Sequence, residues 1–483
     1  MRNYLTRRRF MAASLAAVPG ALAARTGLLD ARGVEQPLDA ATRRALGIAV
    51  PEQHWHGDSS VAAAVRANPR ILDDPEDRPR PRRPRPDPPP TTPPGPTANE
   101  WERFAQQLSV FRDLRRHFIF EYYPWYQANP FQHWEENRRN PPLDIASFAV
   151  PLLGAYDSRD AKIIEQHARW IAEIGAGAIN ISWWGQGSRE DRAVPLIMDV
   201  MRAHDIHVTF HIEPYADDRA NRLANDVLYL IREYGEKRRW DAFLLMQDAD
   251  GTARPMFKSF ATILARTVTD CRGRTFANPL FAEDGLWRQQ TDTVRNALRS
   301  DFDPIMLADT LDANRTEAGG FDGMAMYDAY YRPSLWPGAA APFSARRLLF
   351  SFNTNPGFDK YPDRPPFGEC FSPLPFEPPI AASGWGPDAR QQALTASRDR
   401  ILEALRTTLS LQLDPALTNR RRGFFAMYIN SFNEWHEGTA FEPAVDFAAL
   451  TPEQRAIGYH NPDNGRWRMQ LLQDVLTQLA RPN

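Results

Sequence analysis

The chain is poor in several things at once. Among 483 residues there are only two cysteines, Cys271 and Cys370. That leaves room for at most one disulfide in an exported protein, or for two unrelated thiols. The formal net charge is −2, so the basic field that a nucleic-acid partner demands is missing. Beyond the N-terminus no apolar run reaches the length of a membrane-spanning helix. There is no internal repeat of fixed period, no Gly-rich phosphate loop and no Gly-x-Ser-x-Gly elbow. Histidine occurs in HIE and HE clusters, yet never with the H-E-x-x-H spacing of a zinc site.

What is abundant is proline, and it is clustered. The chain opens with TRRRFMAASLAAVPGALAA (6–24), in which consecutive arginines precede Phe10, a short weakly apolar run and Ala-Leu-Ala. This is the pattern of a twin-arginine export signal with cleavage near Ala23. The run is too short to span a bilayer, and no cysteine follows it to carry a lipid. Residues 25–74 show no sustained period, and DDPEDRPRPRRPRPDPPPTTPPGPT (73–97) is a polyproline-II-like tether. The expected organisation is therefore a signal peptide over 1–24, a Pro-rich linker over 25–99 and a folded domain over 100–483. The expected product is a periplasmic or secreted monomer without a stable membrane anchor.

After residue 100 the texture changes to strands alternating with helices. RHFIFEYYPWY (116–126), AINISWWG (178–185) and IHVTFHIEPY (206–215) read as strands, as do GFDGMAMY (320–327), RRLLFSFNTNPG (346–357) and FFAMYINSFNEW (424–435). SRDAKIIEQHARWIAEIG (158–175) places Ile163, Ile164, His167, Ile171 and Ile174 on one helical face, with Ser158 as the expected N-cap. Further helices follow to about Ala203, near 219–234 and over 387–411. This alternation predicts the α/β class, with a (β/α)8 TIM-type barrel as its leading architecture.

In such barrels the reactive groups gather where the strands end. The strand ends here carry Tyr123 and Trp125; Trp183 and Trp184; His211, Glu213 and Tyr215; Asp322 and Tyr327; and Asn433, Glu434, His436 and Glu437. Rings offer flat faces for sugar C–H surfaces, and carboxylates supply acid, base or nucleophile for glycosidic cleavage. A neutral carbohydrate suits this set, whereas a phosphorylated substrate would call for basic groups. Of the neighbouring Trp183 and Trp184, only one can face the barrel interior, because strand residues alternate. Each aromatic can equally be packing, whereas for Glu434 with Glu437 a salt-bridged strand terminus is the lesser alternative.

The stretch SFNEWHEGTAFEPA (431–444) resembles the signature of glycoside hydrolase family 99, the endo-α-mannosidases and endo-α-1,2-mannanases. YYPWY, PLLGAYDSRD (151–160), GAINISWWG, VTFHIEPY, GFDGMAMY and YHNPDNGRW (459–467) follow in that family's order, so the likeness spans roughly 116–480. The resemblance implies a (β/α)8 barrel that cleaves α-mannosidic bonds with retention, acts endo on a mannan-like polysaccharide or oligosaccharide, and needs no cofactor and no metal. It assigns the general acid/base to Glu437. Glu434 becomes the base that deprotonates the sugar 2-hydroxyl, giving a 1,2-anhydro sugar intermediate. Glu213 and Trp184 fall on sugar-contacting positions, as do Tyr123, Tyr327 and Asn433, and the strand ends add His211, Tyr215 and His436 as substrate-binding candidates. One groove-forming block of the family survives here only as PMFKSFATI (255–263), and a proline-rich insertion (362–387) replaces another. A carbohydrate-binding or polysaccharide-assembly barrel of the same type is the alternative to an enzyme.

Overall fold

The structure, a computed structural model, describes residues 100–480 apart from 217, 270–274, 279, 299–302, 328–330 and 360–383. The expected signal peptide and linker, both cysteines and most of the proline-rich insertion lie outside the described residues. Eight parallel strand segments form the central sheet: β1 (Phe118–Tyr122), β2 (Ala178–Trp183), β3 (His207–Ile212), β4 (Ala253–Ser259), β5 (Ile305–Ala308), β6 (Gly323–Ala325), β7 (Leu349–Ser351 with Asn353–Thr354) and β8 (Met427–Ile429). Each of β1 to β5 pairs with the next, and β5 with β6. The first half of β7 pairs with β6, its second half pairs with β8, and β8 returns to β1. One segment, interrupted at Phe352, thus closes the ring.

A helix follows every strand: α1 (Ala161–Ile174), α2 (Arg189–Ala203), α3 (Arg219–Leu230), α4 (Asp284–Ala297), α5 (Ala313–Ala318), α6 (Trp336–Ala345), α7 (Pro387–Gln412) and α8 (Trp467–Ala480). This is the (β/α)8 barrel expected from the alternation. No helix among the described residues is long and apolar enough to cross a membrane.

Strand periodicity sorts the core. Residues pointing outward from the strands (Phe118, Phe120, Ile179, Ile181, Val208, Phe210 and Phe257) join the apolar stripes of the helices. Those pointing inward (Ile119, Ala178, Met256, Ile305, Leu307, Leu349 and Tyr428) plug the barrel floor. Gly323 of β6 is required by that packing, because a Cβ there would run into the Leu349 carbonyl. A third cluster, rich in tryptophan and tyrosine, roofs the C-terminal end and includes Tyr123, Trp125, Tyr126, Trp134, Tyr327 and Trp435.

Local chemistry sets the helix ends. α1 is capped by Asp160, whose carboxylate accepts from the Lys162 N–H, and it stops at Gly175 with φ 92°. The expected cap, Ser158, instead accepts from the Tyr126 N–H at 3.2 Å. Pro195 interrupts α2 and removes the N–H that would have reached the Asp191 carbonyl. That carbonyl takes the Tyr234 hydroxyl at 2.9 Å in its place. The Asp191 carboxylate accepts from the Trp183 indole at 2.7 Å, from Tyr229 at 2.9 Å and from Tyr234 at 2.6 Å. Trp183 is thereby fixed outside the barrel.

Candidate active site

β8 ends inside the roof, and the loop behind it carries both signature glutamates. The loop is held at several points. The Asn433 side chain clamps the end of β1: its Oδ1 accepts from the Tyr123 N–H at 2.8 Å, and its Nδ2 donates to the Tyr123 carbonyl at 3.0 Å. Sequence placed Asn433 among the sugar contacts. It is fully buried, and its amide aligns backbone. Glu442, which sequence reasoning overlooked, is a buried hub. Its carboxylate takes the Trp435 indole at 2.9 Å and the Tyr156 hydroxyl at 2.7 Å, and it contacts the His167 ring nitrogen at 3.1 Å. Arg468, on α8, donates to the carbonyls of Gly438 and Ala440 at 2.9 and 2.8 Å. Burial lowers its guanidinium to about 9. Asp359, held by His460 at 2.7 Å, donates its N–H to the Glu437 carbonyl at 2.9 Å.

Within this frame the Tyr327 hydroxyl donates to Glu437 Oε2 at 3.3 Å. Tyr123 meets the same hydroxyl at 2.5 Å. Each phenol has one proton, so an ionised Glu437 orders the chain as Tyr123 to Tyr327 to carboxylate. A protonated Glu437 permits the reverse order. A phenol that serves either state suits a residue that must both give and take a proton. Burial first, and then the charges of Tyr327, Glu121, Glu434 and Glu213, drive the Tyr123 phenol well above its ordinary value. It therefore stays protonated as a donor. Glu434 is buried, and one of its oxygens accepts from the His436 N–H at 3.2 Å.

On the opposite wall, Ser182 donates to Glu213 at 2.8 Å and itself accepts from the Trp184 indole at 3.0 Å. Trp184 is the half-buried member of the tryptophan pair and lies at the mouth. His211 packs 5.5 Å from the Tyr327 ring, and its Nδ1 sits 3.1 Å from Glu121 and 4.0 Å from Glu213. Its buried Nε2 has no hydrogen-bond partner among the described residues.

Two placements differ from expectation. Tyr215 turns outward: its hydroxyl donates to both oxygens of Asp226 on α3, at 2.9 and 2.8 Å, and its ring packs edge-on against Trp183. Asp322 lies at the start of β6, not its end, and accepts from the Met306 N–H at 2.9 Å and from Arg295 at 3.1 Å.

Beneath the site lies a group that sequence did not mark. Glu121 of β1 and Lys258 of β4 form a fully buried ion pair at 2.6 Å, and Asn180 donates to the other Glu121 oxygen at 2.9 Å. Burial pushes the Glu121 carboxyl up, but Lys258 and His211 outweigh it and hold it at about 2. The Lys258 ammonium lies 5.1 Å from the Tyr327 ring centre and 4.7 Å from that of Tyr428.

Comparison with known proteins finds a family likeness for part of this site. Residues 113–267, which carry Tyr123, Trp184, His211 and Glu213, match the model of glycosyl hydrolase family 99. The chain is 27% identical over 395 residues to a glycoprotein endo-alpha-1,2-mannosidase-like protein of Danio rerio, covering 74% of this chain and 76% of that one. It is 27% identical over 357 residues to a glycoprotein endo-alpha-1,2-mannosidase of Xenopus laevis, covering 67% and 69%. The solved GH99 endo-alpha-mannosidase of Bacteroides thetaiotaomicron shares the fold, with a TM-score of 0.54 at 21% identity over 76% of this chain and 99% of that one. The family model and the relatives agree: this chain is a glycoside hydrolase whose residues 113–267 are similar to glycosyl hydrolase family 99.

Proposed function

We propose that the protein is an endo-acting, retaining hydrolase of α-mannosidic linkages in an α-1,2-mannan-like glycan. The observation that carries this reading is the division of labour in the β8 loop. Glu437 faces a two-phenol relay able to follow its change of protonation. Glu434 is set apart, held by backbone N–H and buried beside His436. In this reading Glu437 protonates the leaving oxygen. Glu434 removes the proton of the sugar 2-hydroxyl, and the oxygen so freed attacks the anomeric carbon. In mannose that hydroxyl lies anti to an α-leaving group, so an internal attack has a high effective concentration. Glu213, His211 and Trp184 line the opposite wall, where the bare His211 Nε2 suits a sugar hydroxyl. The relatives' names support mannose as the sugar.

The test incubates the purified protein with α-mannans and related glycans and follows oligosaccharide release by chromatography. A matching 2-fluoro donor lacks the internal nucleophile, so it is expected neither to turn over nor to label the protein. A covalent adduct on Glu434 or Glu213 in the mass spectrum overturns the anhydro-sugar route. Export rests on Arg7, Arg8 and Arg9 before Phe10. Changing all three to lysine is expected to hold the protein in the cytoplasm, and unchanged fractionation removes that part of the proposal.

A further inference from the structure

At the rim of the site, His133, Glu136 and His436 bring one ligating atom each within 4.8 Å of one another. We propose that these three side chains form a transition-metal site whose occupation takes Glu434 out of action. Zinc is the probe ion.

The tautomer of His436 is the first argument. Its Nε2 lies 2.8 Å from the His133 carbonyl oxygen, and a carbonyl only accepts, so Nε2 carries the proton. In the neutral ring Nδ1 then presents a lone pair. That nitrogen sits 4.0 Å from Glu136 Oε2 and 3.7 Å from Glu434 Oε1. A lone pair facing two carboxylates is unfavourable, and a cation relieves it. A backbone carbonyl that fixes the tautomer through the far ring nitrogen is also the usual support for a metal-bound histidine. The second argument is the third ligand: His133 Nδ1 donates to Glu136 Oε1 at 2.6 Å, and an incoming ion takes the place of that proton, which passes to solvent or to Nε2 of the same ring. Two histidines and one carboxylate are a donor set that zinc accepts, with bonds of about 2.0–2.2 Å and a further position open. Ligand atoms around such an ion stand roughly 3.3 Å apart. His133 and Glu136 would part slightly, and His436 would close in.

The surroundings fit an accessible site with a dry back. His133 and His436 are 8% and 6% exposed, and His133 stacks on Trp125 at 4.9 Å. The Glu136 side chain is 28% exposed and gives the ion its route from solvent. His133 holds the left-handed backbone at φ 67°, and Asn137 and Arg138 follow at 57° and 64°. The chain thus turns sharply at His133 and again just past Glu136.

The alternative occupant of the same gap is a proton, which would make His436 an imidazolium paired with the two carboxylates. The experiment separates them. Zinc is titrated calorimetrically into the chelator-treated full chain, and into H133N and E136Q, with a hydrolysis assay in parallel. The expected result is one equivalent bound, at least tenfold weaker binding in both variants, and a rate reduced roughly 10²-fold by zinc, the scale of a lost catalytic base, and restored by chelator. Each variant is scored against its own metal-free rate and is expected to resist zinc. No stoichiometric binding, or binding unchanged in both variants, overturns the site. Binding without inhibition overturns the claim on Glu434. The calorimetric arm stands whatever glycan the protein cleaves.

Discussion

Two carboxylates of this barrel are almost equally buried and are held by opposite means. Glu121, in the interior, is fully buried and faces the Lys258 ammonium at 2.6 Å. Glu437, at the mouth, is 8% exposed and faces the Tyr327 phenol at 3.3 Å. A full cation locks the first in its charged form, at about 2. A phenol satisfies either protonation state of the second. Burial alone therefore does not fit a carboxylate for proton transfer; a partner that suits both protonation states does. The locked pair is also what makes the switchable one possible. Its lysine lies under the Tyr327 ring, and its glutamate holds His211, so two walls of the candidate site rest on it.

The hardest way to break the contrast is to remove the cation. Lys258→Met leaves Glu121 charged, buried and without its strongest partner. Loss of one member of a buried pair costs roughly 3–5 kcal/mol, and denaturant unfolding is expected to show a destabilisation on that scale. The double variant Glu121→Gln/Lys258→Met should recover most of it, because neither charge remains. The sign with pH follows from the depressed carboxyl. Its contribution is complete above the unfolded value of about 4.5 and disappears as pH falls toward about 2. The double variant should therefore lose stability less steeply than the parent over that window. Equal slopes would show that Glu121 is not the acid-sensitive group.

Next in size is the switch itself. Glu437→Gln keeps shape and hydrogen bonding but cannot give a proton. Turnover of glycans with poor leaving groups is expected to fall by roughly 10²-fold or more, the usual cost of a lost general acid. An aryl or fluoride donor needs little protonation and should retain much of its rate. A small, uniform loss on both donors would return Glu437 to the class of structural carboxylates represented by Glu121.

The two carboxylates also differed in how readily sequence exposed them. Glu434 and Glu437 stand at a strand end within one stretch that mixes rings, amide and imidazole, and such density of chemistry marks a site. Glu121 sits in the apolar run FIFEY, and its lysine lies 137 positions away in the chain. Nothing local announces a partner at that distance. Lys258 fell within PMFKSFATI, which reads as an eroded family block, and β4 and β5 around it were missed because short apolar strands lack a helical or alternating signature. Fold class was legible because six of the strands alternate with helical segments, the clearest being 158–175 with its apolar face. The caps were not: Ser158 and Asp160 both suit an N-cap, and the choice is made by Tyr126, which claims the serine. His211 stands in β3 and Glu213 directly follows it, whereas Tyr215 lies three residues past the strand, where alternation no longer applies.

Tyr215 gives the smallest effect and the sharpest use of the comparison, because a motif reading makes it a sugar contact and the structure ties it to Asp226. Burial pushes the Asp226 carboxyl up to about 6, opposed by the Tyr215 hydroxyl and by Arg222, while Asp218 and Asp191 add to the rise. A carboxyl raised in the folded state favours its proton, so its ionisation costs stability as pH climbs from its unfolded value of about 4 through 6. The Tyr215 hydroxyl offsets part of that cost by donating to the charged form. Tyr215→Phe should accordingly destabilise by about 1 kcal/mol near pH 8, the net worth of one hydrogen bond to a charge being roughly 1.5–3 kcal/mol before relaxation. The penalty should shrink toward zero near pH 4, where Asp226 is protonated in both proteins. Thermal unfolding at the two pH values measures this. Hydrolysis by Tyr215→Phe should stay within about twofold of the parent, since no hydrogen bond to a catalytic carboxylate is removed. A loss of tenfold or more in kcat/KM with unchanged stability would place Tyr215 in the sugar site after all.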